Sequence, residues 1–469
     1  MAAYFGLSGK ADIAVILFTI PDLLVNFLAG GALSAALIPE HKRLGHSLRN
    51  QLFFLQTACC VGLAFLALAF ALQHNGEALV RLLAPGISNA QAIIAARQLE
   101  NVLFTIPLTA LAGVTTAYLQ SLNRFTIPAL ATLIYNGILV VAIFAFLKPD
   151  KPLESLTVAI MTAAGVRLLS QLTRVPFQAF NWRSLGLPLL RRQLLVRYVQ
   201  ALGAGGLLMV LPVIARALAS AHGEGKLALL NYASKLIELP LGVAVSVISV
   251  SIFPILSQAF ARGQPAATEI RSAMSWIMVL SLSMGGTLFV FSKLFATLAF
   301  GWGQMSPGAV QDLARLFAVG VLALPLQGMA SLLIAIFNAH GNTRSPLLIN
   351  IAAAVLYLPV AIVFDRAGGL MGIMASLVII YLGVMMAQII ELYWRFGIAM
   401  WRVVEPARMA GMLVATLGCM AVFMGLRDAV ESNVLASLGM AVACGGVLLT
   451  LTLLLTGEGR TLASRFLRR

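Results

Sequence analysis

Long apolar stretches recur from one end of this chain to the other, and they decide what it can fold into. About thirteen of them reach the roughly 20-residue length that a helix needs to cross a bilayer: 12–38, 50–72, 98–120, 126–147, 154–180, 196–220, 228–260, 270–300, 311–337, 346–364, 368–394, 408–426 and 434–456. Every connector between them is too short to hold a soluble domain. Only 10% of the residues are charged and 60% are hydrophobic, against roughly 25% charged in a soluble domain. The reading is an all-α polytopic membrane protein. Met1–Lys10 lacks the basic region, short apolar core and cleavage site of a secretory signal.

A net charge of +15 would fit a nucleic-acid binder if the basic residues formed one patch. They do not. They concentrate in alternate connectors, among them HKRLGHSLRN (41–50), NWRSLGLPLLRRQLLVR (181–197) and GEGRTLASRFLRR (457–469). The positive-inside rule places these in the cytoplasm, with the N-terminus outside and the C-terminus inside. The excess charge therefore reports topology and contact with anionic membrane lipids, and nucleic acid is not an expected partner. Cys59 and Cys60 are adjacent, while Cys419 and Cys444 lie in apolar spans; neither pair makes a disulfide framework. The five histidines show no ligand spacing, so neither a metal nor a cofactor is expected.

Prolines inside spans mark breaks, because each removes a backbone donor. Pro107 and Pro325 are 218 residues apart, as are Pro128 and Pro346, while Pro21 and Pro240 are separated by 219. NRFTIP (123–128) and GNTRSP (341–346) both place an arginine and a Ser/Thr on a short turn before proline. This is a degenerate internal repeat of six helices, and an even number makes the two halves parallel repeats around a central cavity. The expected organisation is an N-terminal bundle at 1–180, a basic linker at 181–197, a second bundle at 198–395, and a C-terminal helix pair with a basic tail at 396–469. The repeat partner of span 196–220 would precede residue 1, so the reading expects a first helix missing from this chain.

The sequence holds no nucleophile elbow, zinc motif, P-loop or paired carboxylates at a membrane face. That argues against an enzyme, and with no nucleotide-binding domain a self-contained ATP-driven pump is excluded. Within NYASKLIELPLGVAVSVISVSIFP (231–254), Lys235 and Glu238 share one helical face. They are either a structural pair near the membrane boundary or a cationic point held by its carboxylate, since a lysine at mid-span needs a pocket or a partner. Pro240 and Pro254 follow as helix breaks, as Pro21 does in the first span. Arg216 has apolar residues on both sides, and either snorkels to the interface or faces substrate. Asp12, Asp22, Arg167, Arg174, Lys293 and Arg315 also lie in or beside spans. Basic groups with few acidic companions point to an anionic substrate.

Three stretches carry a resemblance over essentially the whole chain: AYFGLSGKADIAVILFTIPDLLVNFLAGGALSAALIP (3–39), LNRFTIPALATLIYN (122–136) and NYASKLIELPLGVAVSVISVSIFPILSQAFA (231–261). They resemble the MurJ/MviN family of lipid II flippases, within the multidrug/oligosaccharidyl-lipid/polysaccharide exporter superfamily. The resemblance implies fourteen helices in two six-helix bundles plus a C-terminal pair, and a cavity for the diphosphate-sugar head of an undecaprenyl-linked cell-wall precursor in the bacterial cytoplasmic membrane. It further implies cell-wall synthesis enzymes as partners. The family's Tyr-Ala-Asp-Arg-Leu-x-Glu-Phe-Pro motif maps its arginine onto Lys235, its glutamate onto Glu238 and its proline onto Pro240, with Ser234 replacing the aspartate. The acidic residue after the first loop is kept as Asp12. Where the family has two arginines and then Ala-Glu-Gly, this chain has Val25, Asn26 and Ala29-Gly30-Gly31. The expected substrate contacts are therefore Lys235, Glu238, Arg216, Asn26 and Asp12, and the function is flipping of a lipid-linked diphosphate glycan, lipid II foremost. The alternatives left open are export of another lipid-linked oligosaccharide, cation-coupled export of drug-like amphiphiles through Asp22, and a non-transporting paralogue.

Overall fold

The computed structural model describes residues 1–27, 33–45, 47–146, 151–176, 207–247, 267–340, 342–400, 406–430 and 433–456. These form two compact units, one of Ser8–Ala228 and the other of Ala2–Leu7 with Leu229–Arg469. Among the described residues all regular structure is helical.

After the short α1 (Ala2–Phe5), the first unit contains α2 (Gly9–Phe27), α3 (Leu33–Leu44), α4 (Leu48–His74), α5 (Gly76–Leu83), α6 (Asn89–Val102), α7 (Thr105–Ser121), α8 (Thr126–Val141), α9 (Pro152–Leu172) and α10 (Leu211–Ala219). α11 (Lys226–Val247) begins in this unit and continues into the second, which holds α12 (Ala267–Val290), α13 (Ser292–Phe300), α14 (Pro307–Val321), α15 (Ala323–Ala339), α16 (Arg344–Phe396), α17 (Pro406–Arg427) and α18 (Val434–Leu455).

The proline register becomes a structural one. Pro107 and Pro325 are each the third residue of their helix, α7 and α15; Pro128 and Pro346 are each the third residue of α8 and α16. Pro21 and Pro240 both lie inside helices, α2 and α11 respectively. A further pair was not anticipated. Ser88 and Ser306 are the N-caps of α6 and α14, each accepting a backbone N–H three residues on. Such caps satisfy donors that the first helical turn leaves open.

Each unit is organised on one buried helix. α7 packs against α2, α3, α4 and α9, and its small residues Ala110, Ala112, Gly113 and Ala117 are buried. Small side chains let helices approach closely where lipid offers no hydrophobic drive. Thr105 and Thr115 return their hydroxyls to the backbone, Thr115 Oγ1 donating to the Leu111 carbonyl at 2.8 Å. α15 has the same part in the second unit, packing on α12 and α16 with Leu332, Leu333, Ile336 and Phe337 fully enclosed.

Nine stretches among the described residues are long and apolar enough to cross a membrane. One of them, α16, contains both spans read at 346–364 and 368–394. Its helix is broken at Gly369, whose φ of 57° and ψ of −137° lie in a region that glycine reaches without steric cost. The turn is tight enough that a Cβ on Gly372 would sit 1.8 Å from the Phe364 carbonyl oxygen. The spans at 12–38, 196–220 and 228–260 each run into residues outside the described set.

The connector at 39–49 holds a buried histidine that sequence reading passed over. His41 packs edge-on to Phe53 and against Tyr118. The Asn50 side chain donates to the Gly45 carbonyl at 2.6 Å and accepts from His41 Nδ1 at 2.6 Å, which places the imidazole proton on Nδ1. Nε2 is buried without a partner. A second proton would have no acceptor, so burial lowers the His41 pKa from 6.5 to about 4. The unfolded chain then takes up a proton between these values that the folded chain refuses. Stability is fully present above pH 6.5 and declines as pH falls toward 4. Thermal unfolding in detergent should show a loss of about 2 kcal/mol between pH 7 and pH 5 attributable to this group. In His41→Leu that part of the pH dependence should vanish; an unchanged profile would remove His41 as its source.

Candidate functional site: the opening helix of the second half

α11 begins directly after the sequence HGEG (222–225), where Gly223 and Gly225 adopt φ of 109° and 77°. No Ser, Thr or Asp stands before Lys226 to cap the helix, so its first N–H groups need an acceptor from elsewhere. Asp12, from the first turn of α2, supplies it. Oδ2 accepts the Gly225 N–H at 2.6 Å and Oδ1 accepts the Ala228 N–H at 2.8 Å. The carboxylate is 6% exposed, and a negative charge at a helix N-terminus meets the positive end of the dipole. The preceding loop is seated by two more bonds. The Gly86 N–H donates to Ser220 Oγ at 2.9 Å, and Gln91 Nε2 donates to Glu224 Oε1 at 2.6 Å. A Cβ on Gly86 would lie 2.3 Å from Ala221 Cα, so the two strands of chain touch backbone to backbone. Asp12, expected as a substrate contact, has both oxygens engaged by the backbone.

Nine residues into α11, Lys235 Nζ donates to Glu238 Oε2 at 2.9 Å. The side chains keep 41% and 55% of their surface exposed. The opposite face of the helix is closed: Ala233 and Ile237 are buried, and a Cβ on Gly320 would fall 2.3 Å from Ile237 Cδ1. Glycine at 320 thus lets α14 lie against α11 and fixes which face carries the ion pair. Ser234, at the aspartate position of the motif, returns its hydroxyl to the Leu230 carbonyl at 2.9 Å.

The next turn changes character. Pro240 has no N–H, which frees the Leu236 carbonyl from its helical bond. Leu236, Leu239 and Pro240 line an open cavity of about 520 Å³ together with Met284, Phe295 and Phe317 among others. An ion pair and an apolar cavity therefore share one helical turn.

Of the other residues read from sequence, Arg216 is half-buried on α10, and Pro21 is buried inside α2. Asn26 lies within α2, but its side chain is outside the described set, as is the whole of Pro254. Arg167 proves more enclosed than its place among bordering residues implied: it is 3% exposed on α9, 5.9 Å from the Tyr135 ring centroid.

The architecture defines a class before it defines a family. It matches a structure described as the inward-facing conformation of a multidrug resistance MATE family transporter of the MOP superfamily, with a TM-score of 0.66 at 17% identity over 85% of this chain and 91% of that one. The shared feature is the all-helical fold. The match to the structure of "Lipid II flippase MurJ, inward closed conformation" is stronger, with a TM-score of 0.81 at 17% identity over 100% of this chain and 95% of that one. In sequence, the lipid II flippase MurJ of Burkholderia cenocepacia is 27% identical over 381 residues, 76% of this chain and 72% of the relative. A family profile described as lipid II flippase MurJ matches residues 1–442, and the chain belongs to that family.

Proposed function

We propose that this chain flips a polyprenyl-diphosphate-linked cell-wall precursor, lipid II in the first place, across the bacterial cytoplasmic membrane by alternating access, its C-terminus on the cytoplasmic side. The observation that carries this is the succession on α11 of the Lys235–Glu238 pair and the 520 Å³ apolar cavity at Leu236, Leu239 and Pro240. A substrate that suits both has an anionic head and a long apolar tail. Lys235 meets the diphosphate, Glu238 holds the ammonium in place between substrates, and the prenyl chain lies against the apolar wall. Arg216 and Asn26 contribute further head contacts. Family membership supports the reading, and translocation asks no covalent step of the protein.

The test is the full chain reconstituted in liposomes with lipid II, following exposure of the headgroup to an external reagent. Time-dependent exposure above that of protein-free vesicles is expected, and its absence with folded protein overturns the proposal. An inside-negative potential favours outward movement of a diphosphate by roughly 2.3 kcal/mol per charge per 100 mV, so no carboxylate relay is required. Asp22→Asn should accordingly keep at least half of the wild-type rate. Loss of transport in that variant would favour a cation-coupled exporter instead.

A further inference from the structure

Three buried hydrogen-bond donors in the interior of the first unit have nothing to donate to. Arg167, on α9, is 3% exposed; Gln171, one turn further on, is 0% exposed; Tyr135, on the neighbouring α8, is 7% exposed. Arg167 and Gln171 are four residues apart and share a helical face, and the guanidinium carbon lies 5.9 Å from the Tyr135 ring centroid. Arg167 Nε, Gln171 Nε2 and the Tyr135 hydroxyl are each buried without a hydrogen-bond partner. What is missing is an acceptor, since Gln171 Oε1 already takes the Thr116 hydroxyl at 3.4 Å. Among the described residues Arg167 has no ion-pair partner; its electrostatic neighbour is Tyr135, and Asp22 in turn acts on Tyr135.

The fold itself does not require a polar interior here. The register of 218 residues that relates the two halves carries through α9, which opens at Pro152, to the second arm of α16, which opens after Gly369. It matches Arg167 to Met385, Gln171 to Ile389, Tyr135 to Ala353 and Thr116 to Ile334. All four counterparts are apolar, and Met385 and Ile389 pack on the core of the second unit. An apolar interior therefore suffices at these places. A guanidinium enclosed without a counter-charge is among the most costly groups to bury. Water would satisfy the donors and leave the charge, so the missing acceptor is an anion. The enclosure admits a small ion and no lipid headgroup, and one guanidinium matches one negative charge.

We propose that Arg167, Gln171 and Tyr135 hold a small monovalent inorganic anion, chloride in the cell, inside the first unit. The site shares no residue with the substrate contacts proposed above. Its anion completes the interior of the bundle and is not cargo.

The experiment compares thermal unfolding of the purified full chain in detergent in sodium chloride and in sodium gluconate, whose anion is too large to enter, at equal ionic strength. Chloride should raise the midpoint saturably, by about 2–4 °C, because it binds the folded state alone. Tyr135→Phe removes one hydroxyl and leaves the charge, and should weaken chloride binding about tenfold, as the loss of a hydrogen bond to a charged partner does. Arg167→Met/Gln171→Ile installs the residues that the second unit has at the matching places. It should abolish the chloride response and be at least as stable as wild type in gluconate, because the uncompensated charge is gone. In crystals grown with bromide, an anomalous-scattering peak is expected beside Arg167. Equal wild-type midpoints in the two salts, an undiminished chloride response in either variant, or water in place of bromide at Arg167 would each overturn the proposal. So would a chloride response that appears only in Asp22→Asn, since Asp22 would then be the counter-ion.

Discussion

Lys235→Ala should lower the rate of lipid II headgroup translocation about 100-fold, with the protein remaining folded. A hydrogen bond between charged groups contributes roughly 1.5–3 kcal/mol, and its loss from the phosphate contact accounts for most of that factor. The rest comes from what is left behind. With the ammonium gone, Glu238 remains as a carboxylate on the same exposed face, 55% accessible, and repels an incoming diphosphate. Lys235→Arg should therefore retain full transport or exceed it, because a guanidinium adds a bidentate fork to the same charge. The double change Lys235→Ala/Glu238→Ala should recover part of the lost rate, since two residues in contact do not act additively. The headgroup-exposure assay reads all three. Wild-type rates in Lys235→Ala would remove this lysine from the transport path, whatever the fold.

The parts of this fold that were legible in the sequence are the parts that local physics decides. Span length, proline position and basic connectors each report on residues within one helix or one turn. That is why Pro107/Pro325 and Pro128/Pro346 reappear at identical helix positions, and why Lys235 and Glu238, three residues apart, were read together and found together. The hairpin inside α16 was also legible as two spans, though its turn at Gly369 was not singled out. Asp12 was legible as a charge beside a span and, by resemblance, as a substrate contact, but not as a helix cap. Its partners are the N–H groups of Gly225 and Ala228, more than two hundred residues away, and no pattern around Asp12 names them. The missing signal sat at the other end: a helix opening after Gly-Glu-Gly with no capping side chain of its own. His41 was hidden for a similar reason, since Asn50 and Tyr118 come from two other helices. Among basic connector residues it reads as one more solvated charge.

Asp12→Ala should destabilise the folded chain by about 3–6 kcal/mol, since it removes two charge-assisted bonds worth roughly 1.5–3 kcal/mol each. The Gly225 and Ala228 N–H groups that lose them would be left beside a 6% exposed position with little water to replace the carboxylate. Asp12→Asn should cost about half as much. Its amide oxygen can still accept from Ala228, while its amide nitrogen faces the Gly225 N–H as donor against donor. Lys10→Ala, two residues earlier on the exposed side of the same helix, should change stability by less than about 0.5 kcal/mol and serves as the control. Unfolding of the purified chain in detergent, measured together with lipid II transport, separates the two roles open to Asp12. A structural cap predicts that stability falls first, and that Asp12→Asn retains transport at temperatures where it remains folded. If Asp12→Asn unfolds like wild type and yet fails to translocate, the carboxylate belongs to the transport path, and the hydrogen bonds to α11 are incidental to it.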